Sequence, residues 1–456
     1  MFSAIERTYK DRQFLKTALA LIFPIAMQSL LMSGVNFLDN IMIGRLGEAS
    51  IAAVSLANQY YFLLTLVAFG VCSGAGIFIS QFHGKGDTVS IRKVMFINVA
   101  ACTVVSALFM ILAIFLPNLI MGVFSTDVEV IKLGANYLIV VAIGYIPTGI
   151  SMALQIGLKS VGKPRIPLIM TFIALCINGV LNYVFIFGKF GVPAMGVVGA
   201  ALATILARII EMILTIIFIR IYSPEMMIKL SDILGIKKEF VKKFSDTASL
   251  VVINEFFWGL GTCLYSFVYG RMGTDVAAAV SIATTIEKLL NIFMFGMGNA
   301  AVVMIGSKIG EGDIETGKEY ASRFSVMACF LGVIMAVAMF AISPFAPIIF
   351  NIAPEVRWMT TMVLIDIGIV SAMQCYNHTN FIGSLRSGGD TKFCLIIDIV
   401  GVWGISLPLL ILSGLVLRWP IQYTYLMLGV EQFVKIILIS ARLKSGKWIS
   451  NLVKDM

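Results

Sequence analysis

Twelve long apolar runs divide the chain, and they restrict its fold more than any other feature. Their approximate bounds are 14–43, 50–82, 92–116, 128–158, 164–187, 196–222, 244–270, 275–307, 318–342, 354–385, 391–414 and 419–441. A helix needs about 20 residues to cross the roughly 30 Å hydrocarbon core of a bilayer, and each run is long enough. With 59% hydrophobic residues the chain exceeds what a soluble domain buries. The runs therefore predict twelve transmembrane helices.

The second half of the chain repeats the first half without a gap. Residues 44–47 read GRLG and recur at 270–273 as GRMG, and the same offset relates GKGD at 84–87 to GEGD at 310–313. Six apolar runs precede a charged connector and six follow it. We therefore predict an all-α integral membrane protein with a six-helix lobe in residues 1–222, a connector in 223–243 and a second six-helix lobe in 244–456.

Lysine and arginine residues concentrate on one side of the predicted spans. That side holds the N-terminal tail, the loops after the second and fourth spans, the connector and the C-terminal end. The positive-inside rule then predicts that both termini are cytoplasmic, in a cell membrane that we expect to be bacterial. Two copies that start on the same side are related by a pseudo-two-fold axis along the membrane normal. Because the basic residues follow the loops, we expect no nucleic-acid partner.

Asp39 is a carboxylate inside the first apolar run. A charged side chain at the bilayer centre costs about 2.5 to 3.5 kcal/mol on insertion scales, which usually indicates a function. Asn36 and Asn40 share its helix face. A carboxylate with amide oxygens is a ligand set for a hard monovalent cation, whereas burial favours a protonated carboxylate, so Asp39 could carry a proton instead. A structural role, with Asp39 hydrogen bonded between helices, is the alternative.

Polar positions in the other runs give further candidate residues. In the first half they are Asn178 and Asn182, one turn apart, and the stripe of Thr204, Arg208 and Glu211. In the second half they are Glu255, Thr284, Glu287, Asn291, Asp366, Gln374, Asn377 and His378, which could form a second cation or substrate site. Glu431 and Lys435 are four residues apart, a spacing that predicts an internal ion pair. The seven dispersed cysteines show no metal-site spacing.

Several segments together resemble the multidrug and toxic compound extrusion (MATE) family. They are the D-x-x-x-x-GRLG run from Asp39, the GKGD loop, NGVLNYVFIFG, GVVGAALAT and LRSGGDTKF, together with Pro24 in the first run. The likeness covers nearly the whole chain. It implies two six-helix lobes in a V shape and export of organic, often cationic and amphipathic compounds coupled to Na⁺ or H⁺. It also implies that Asp39, Asn178, Asn182 and Thr204 form a cation site in the first lobe.

Two positions depart from the family pattern. Position 182 is Asn where some relatives carry a second Asp, and Asn377 stands where others have an Asp in the second lobe. Glu255 does match a family carboxylate. The resemblance therefore supports the coupling site of the first lobe better, and Glu255, Glu287, Asp366 and Asn377 remain the candidates for a second-lobe cation or substrate site.

These features predict an antiporter that is driven by an inward cation. The coupling ion and the substrate would each favour a different state of a protein that alternates between two states. The expected partners are small organic molecules and membrane lipids, with the protein acting as a monomer. We expect no catalytic residues, no cofactor and no metal beyond a possible Na⁺.

Three other functions fit parts of the pattern. A major facilitator shares the six-plus-six plan, but FHGKGDTVSIRK after the second span lacks the G-x-x-x-D-R-x-G-R signature. A flippase for lipid-linked or amphipathic substrates on the same fold would prefer a strongly cationic cavity, whereas these spans contain mostly acids. An intramembrane aspartyl protease would use GxGD, which occurs twice, but both copies lie in charged loops at span ends. The protease is the most remote alternative.

Overall fold

Long helices dominate the computed structural model, which describes residues 10–350, 352–454 and 456. The side chains at positions 35, 36, 37 and 40 are outside this description, so the predicted neighbours Asn36 and Asn40 lie outside the described residues. The β-structure of the described part is an isolated bridge between Gly389 and Ile449.

The helices follow the predicted runs closely. In the first half they are α1 (Arg12–Gly44), α2 (Glu48–Lys85), α3 (Thr88–Phe115), α4 (Pro117–Phe124), α5 (Val128–Val141), α6 (Tyr145–Ser160), α7 (Arg165–Phe187) and α8 (Gly196–Tyr222). After them come α9 (Leu230–Leu234), α10 (Lys238–Met272), α11 (Thr274–Glu311), α12 (Ile314–Ile342), α13 (Pro354–His378), α14 (Thr391–Ile399), α15 (Leu407–Ile411) and α16 (Ile421–Ser445). Wider π-helical turns occur at Thr379–Arg386, Val400–Ser406 and Leu412–Val416.

Eleven helical stretches of the described chain are long and apolar enough to cross a membrane. They correspond to the first eleven predicted runs. The twelfth run is α16, which has 25 residues but carries Glu431 and Lys435, and these charges lower its hydropathy. The length of α16 still meets the requirement of about 20 residues for a span.

The two GxGD segments form the same turn in both repeats. Gly86 and Gly312 have positive φ angles of 74° and 85°, a conformation that glycine adopts without strain. The next residues, Asp87 and Asp313, accept hydrogen bonds from the backbone N–H three residues further on, at 3.0 and 3.1 Å. They are therefore N-caps of α3 and α12. Hydrogen bonds from Thr316 lower the pKa of Asp313 below its ordinary value.

The described residues fall into two compact units, each with its own core. The N-terminal unit comprises Met27–Ile79 and Asp87–Val252, and the C-terminal unit comprises the described part of Met1–Ala26, Ser80–Gly86 and Ile253–Met456. A cluster including Tyr137 and Tyr145 forms a core of the first, and a cluster including Phe324 and Trp448 forms a core of the second. The six-plus-six lobe boundaries at 222 and 244 remain a prediction.

The charged connector is bound to the N-terminal unit by ion pairs. Arg92 of α3 donates to Asp232 of α9 at 2.5 Å and to the carbonyl oxygen of Glu225 at 3.0 Å. Lys163 pairs with the Glu225 carboxylate at 2.7 Å. The hydrogen bond from Arg92 holds the pKa of Asp232 below its ordinary value. These contacts fix the position of α9 against the end of α3.

Within the C-terminal unit, the end of α2 crosses the end of α11 with the two backbones in contact. A Cβ atom added at Gly84 would lie 1.8 Å from the carbonyl oxygen of Ser307, and one added at Gly310 would lie 1.8 Å from that of Gln81. The repeat offset relates Gly84 to Gly310 and Gln81 to Ser307. Repeat-equivalent positions therefore contact each other, as a local two-fold relationship requires.

We expect Gly84→Ala and Gly310→Ala each to lower the free energy of unfolding by about 1 to 3 kcal/mol, because a methyl group cannot fit against the facing carbonyl oxygen. The thermal unfolding midpoints of the purified full-length variants in detergent would test this. Gly270→Ala is the matched control, since nothing lies within 4 Å of a Cβ added there. Unchanged midpoints in all three variants would contradict the close crossing.

Candidate cation site in the N-terminal unit

Asp39, five residues before the end of α1, is joined to two asparagines of α7. Asn182 donates from Nδ2 to Asp39 Oδ1 at 2.5 Å and to Asn178 Oδ1 at 3.1 Å. Asn178 and Asn182 are separated by one turn, so both amides lie on the same face of α7. The structure therefore brings together three of the four residues that were predicted for the cation site.

This cluster contains an oxygen atom without a hydrogen-bond partner. Asn178 and Asn182 are buried, with exposed fractions of 3% and 0%, and Asp39 is half-buried. Asn182 Oδ1 accepts no hydrogen bond from the described residues. A buried polar atom left unpaired costs about 1 to 3 kcal/mol. If the Asn182 amide turned, this oxygen would join the Asp39 carboxylate and Asn178 Oδ1 in an oxygen-rich donor set that suits a small monovalent cation.

Within the described chain, Thr204 is not hydrogen bonded to the other three residues predicted for the cation site. Its hydroxyl donates to the carbonyl oxygen of Ala200 in its own helix at 3.0 Å. Among the described residues, no hydrogen bond joins Thr204 to Asp39, Asn178 or Asn182. The hydroxyl oxygen keeps acceptor capacity when it donates in this way.

A second polar network occurs in the same unit around Glu211 of α8, which is 2% exposed. Glu211 Oε2 accepts from Arg208 Nη1 at 2.8 Å. Its Oε1 accepts from Gln155 Nε2 at 3.0 Å and from Thr171 Oγ1 at 3.3 Å. Gln28 Nε2 donates in turn to Gln155 Oε1 at 2.8 Å and to Thr171 Oγ1 at 2.9 Å. Four helices thus contribute side chains to the environment of one carboxylate.

Arg208 connects the two clusters electrostatically. Besides its bond to Glu211, its guanidinium interacts with the Asp39 carboxylate. Tyr137 of α5 also interacts with Asp39. The predicted stripe on α8 therefore supplies a cation that pairs with Glu211 and interacts electrostatically with Asp39.

The C-terminal unit contains a buried ionic network that begins at Arg386. Arg386 Nη2 donates to Glu255 Oε1 at 2.8 Å and to Asn254 Oδ1 at 2.6 Å. Asn254 Nδ2 donates to Asp398 Oδ2 at 2.5 Å. Arg386 lies in the π-helical turns Thr379–Arg386, and the acids lie on α10 and α14. Glu255 therefore faces a cation of the protein itself.

The network continues through Lys435 of α16. Lys435 Nζ lies 2.6 Å from Asp398 Oδ1 and 2.5 Å from Glu431 Oε1. Ser406 donates to the second oxygen of Glu431. The predicted pair of Glu431 and Lys435 is confirmed, and Asp398 is the second partner of the lysine.

The predicted second-lobe residues do not form one cluster in the structure. Glu287 accepts from an asparagine one turn further along α11 at 3.2 Å. Asn377 donates to the side chain of a glutamine of α16 at 2.9 Å. Asp366 Oδ2 is buried without a hydrogen-bond partner among the described residues. Within the described chain, no hydrogen bond or ion pair joins any two of Glu255, Glu287, Asp366 and Asn377.

Several residues of these networks were not predicted from the sequence. They are Gln28, Gln155 and Thr171 in one unit and Asn254, Arg386 and Ser406 in the other. The available signal was an amide or guanidinium group inside an apolar run, as with Gln28 in IAMQSLL. Carboxylates in apolar runs are a stronger signal of function because their cost of insertion into the bilayer is higher.

The MatE family model matches residues 24–184 and 250–412 of this sequence. These two segments comprise more than half of the chain and include the repeat-equivalent helices of both halves. The chain belongs to the MATE family. The predicted resemblance is confirmed, and the protein is a multi-pass membrane protein of a transporter family.

Proteins similar to this chain are distant in sequence, and the solved structures among them are close in fold. A probable multidrug resistance protein NorM from Pasteurella multocida is 24% identical over 403 residues, 86% of this chain and 85% of that protein. A mutant of the Vibrio cholerae MATE transporter VcmN has a TM-score of 0.87 at 15% identity and covers 96% of this chain and 98% of that one. A MOP superfamily transporter from Pyrococcus furiosus gives 0.84 at 16%, covering 95% and 96%. The predicted all-α, twelve-helix membrane fold is confirmed.

The GxGD aspartates have a structural role in this MATE-family chain. Both carboxylate oxygens of Asp87 accept hydrogen bonds from Ser90, and Asp313 accepts from the backbone of Thr316. Each aspartate therefore fixes the beginning of a helix. Since the family consists of transporters, the protease alternative is set aside.

Proposed function

We propose that the protein is an antiporter that exports organic, chiefly cationic and amphipathic compounds in exchange for Na⁺ or H⁺ bound at Asp39. The observation that carries this proposal is the cluster of Asp39, Asn178 and Asn182, in which a buried amide oxygen lacks a partner. Membership of a transporter family and similarity to proteins named as multidrug resistance proteins support the same conclusion.

The Asn182 amide allows the cluster to hold either ion. In the structure its N–H group donates to Asp39, which suits an ionised carboxylate. If the amide turns, its oxygen can accept a hydrogen bond from a protonated Asp39 or bind Na⁺ beside the carboxylate and Asn178. Thr204 would supply a further oxygen. Either ion neutralises the only full charge of the cluster.

Neutralisation of Asp39 would provide the coupling. An ion can drive transport only if its affinity differs between the inward-open and outward-open states. A charged carboxylate in apolar surroundings is costly, so the state that exposes Asp39 to water is favoured without the ion, and occlusion is favoured with it. The organic substrate would then bind better to the state that the ion disfavours.

The charge balance of the C-terminal unit favours a cationic substrate. Glu255, Asp398 and Glu431 face Arg386 and Lys435 there, an excess of one carboxylate, whereas Asp39 and Glu211 of the N-terminal unit interact with Arg208 and Lys159. The 25 methionines and 32 phenylalanines of the chain could supply adaptable apolar contacts.

A flippase on the same fold remains the second candidate. The Pyrococcus furiosus structure is described as having a binding pocket of reverse polarity that suggests a different function. The sign of the buried charge is therefore a useful criterion within this fold, and the excess of carboxylates here favours the exporter of cations.

Transport by the purified full-length protein in proteoliposomes tests this function. Ethidium serves as the substrate probe, and Na⁺ and H⁺ gradients are imposed independently. We expect ethidium transport against its gradient only when one cation gradient points in the opposite direction, and that gradient identifies the ion. Equal ethidium movement with both gradients dissipated would contradict antiport, and gradient-independent translocation of a fluorescent lipid probe would favour the flippase.

The arrangement in the membrane follows from the charge distribution. We propose a monomer in a cell membrane with both termini in the cytoplasm, because the basic loops and both ends of the chain lie on one side of the predicted spans. No cofactor enters the proposed cycle; the coupling ion and the exported molecule are its only substrates.

A further inference from the structure

Arg208 lies in an unusual electrostatic position in the N-terminal unit. Its guanidinium is bonded to Glu211 at 2.8 Å and also interacts with Asp39. Its side chain is 20% exposed, whereas that of Glu211 is 3% exposed. The cation is thus paired with a deeply buried carboxylate and also interacts electrostatically with the carboxylate of the candidate ion site.

The contacts of Glu211 show how firmly its carboxylate is held. Gln155 and Thr171 donate to one oxygen while Arg208 donates to the other. Gln28 donates to both Gln155 and Thr171 and so fixes the orientation of these two donors. Glu211 is therefore held by three donors, and Arg208 is the more exposed partner of the pair.

We propose that Arg208 is an internal cation that competes with the coupling ion for Asp39, and that Glu211 sets the strength of this competition by holding the guanidinium. The inference rests on the proposed function, because it assumes that Asp39 binds the ion. Arg208 acts through Asp39 and is a positioning residue.

Electrostatic attraction and repulsion at Asp39 govern the proposed competition. An arginine side chain remains protonated in proteins, so Arg208 is a permanent positive charge near the ion site. An ion that binds at Asp39 is repelled by that charge, and the repulsion decreases when Glu211 binds the guanidinium. When the ion leaves, the attraction between Arg208 and Asp39 opposes rebinding of the ion, while the bond to Glu211 keeps the guanidinium from fully neutralising Asp39, whose occlusion therefore still requires the ion. The competition weakens ion binding and promotes release.

Other charged and titratable neighbours belong to the same environment. Tyr61 interacts with Arg208, Tyr137 interacts with Asp39, and Lys159 interacts with Glu211. None of these groups joins both carboxylates as Arg208 does. Substituting Arg208 or Glu211 therefore changes the competition for Asp39 while leaving these other neighbours in place.

We expect Arg208→Gln and Glu211→Gln to change the affinity for the ion in opposite directions. Arg208→Gln should tighten ion binding at least about tenfold, because the competing charge is lost, and Glu211→Gln should weaken it at least about tenfold, because the freed guanidinium turns to Asp39. Arg208→Lys should stay near wild type. The double variant should bind the ion more tightly than wild type, because no guanidinium remains to compete for Asp39.

Equilibrium binding of ²²Na⁺ to the full-length protein in nanodiscs measures the affinity. If wild type binds no ²²Na⁺, the infrared band of protonated carboxyl groups, titrated in Na⁺-free buffer, measures proton binding instead. The thermal unfolding midpoint of each variant is recorded alongside.

The outcomes separate this inference from the proposed function. If Asp39→Asn leaves binding of both ions unchanged, the ion site itself is wrong. If Asp39→Asn abolishes binding but Arg208→Gln and Glu211→Gln shift the affinity in the same direction, or not at all, only the competition is wrong. Should either single variant fail to fold, the double variant and Arg208→Lys decide: an affinity of the double variant equal to that of Arg208→Lys overturns the proposal.

Discussion

Asp39→Asn should reduce ion-driven ethidium transport by about 100-fold, the upper range of a typical coupling free energy. Asparagine has the same size as aspartate and can keep a hydrogen bond to Asn182, so the helices should stay in place. It carries no charge and binds no proton, and it is a weaker ligand for Na⁺. The loss should appear in the proteoliposome assay with the gradient that drives the wild type.

Asp87→Asn provides the matched control for this substitution. It makes the same chemical change at a helix N-cap, where asparagine caps about as well as aspartate. Its transport should stay within about two-fold of wild type, since a cap substitution of this kind changes stability by only a few tenths of a kcal/mol. Ion-driven transport that survives in Asp39→Asn with unchanged ion dependence would remove Asp39 from the coupling site and direct attention to the C-terminal unit.

The parts of this structure that the sequence predicts are those governed by local rules. Each apolar run is helical because backbone groups in lipid must be hydrogen bonded within their own segment, and the bilayer thickness sets the length of the helix. The aspartate of each GxGD segment begins a helix because capping depends on neighbouring backbone groups. The contact of Asp39 with α7 was predictable in part, because the spacing of Asn178 and Asn182 on α7 and the cost of a buried carboxylate are both visible in the chain.

The networks were less predictable because they depend on contacts between distant positions. Gln28 bonds to Gln155 and Thr171, which are 127 and 143 residues away, and no periodicity relates them. The π-helical turns that place Arg386 alter the 3.6-residue period on which face assignments rest. For Lys435 the sequence predicted the local partner Glu431 and not Asp398, which is 37 residues away.

Removing the charge of Lys435 should lower the stability of the protein strongly. Its ammonium group lies between two buried carboxylates, each of which accepts one further hydrogen bond, from Asn254 or Ser406. Lys435→Met would leave both carboxylates without that counter-charge. Breaking a buried ion pair by removing one partner costs about 3 to 5 kcal/mol, so this variant should give little folded protein and a much lower unfolding midpoint.

A compensated variant shows whether charge is the cause. The triple substitution Lys435→Met, Asp398→Asn and Glu431→Gln removes all three charges while keeping similar volumes, and replacing buried ionic groups by neutral ones is often tolerated. It should therefore recover most of the midpoint. Lys318→Ala is the surface control, because Lys318 pairs with an exposed glutamate and should change the midpoint little. If Lys435→Met alone unfolds like wild type, the two carboxylates must be neutralised by protons or a bound cation, and the C-terminal unit would then hold an ion site of its own.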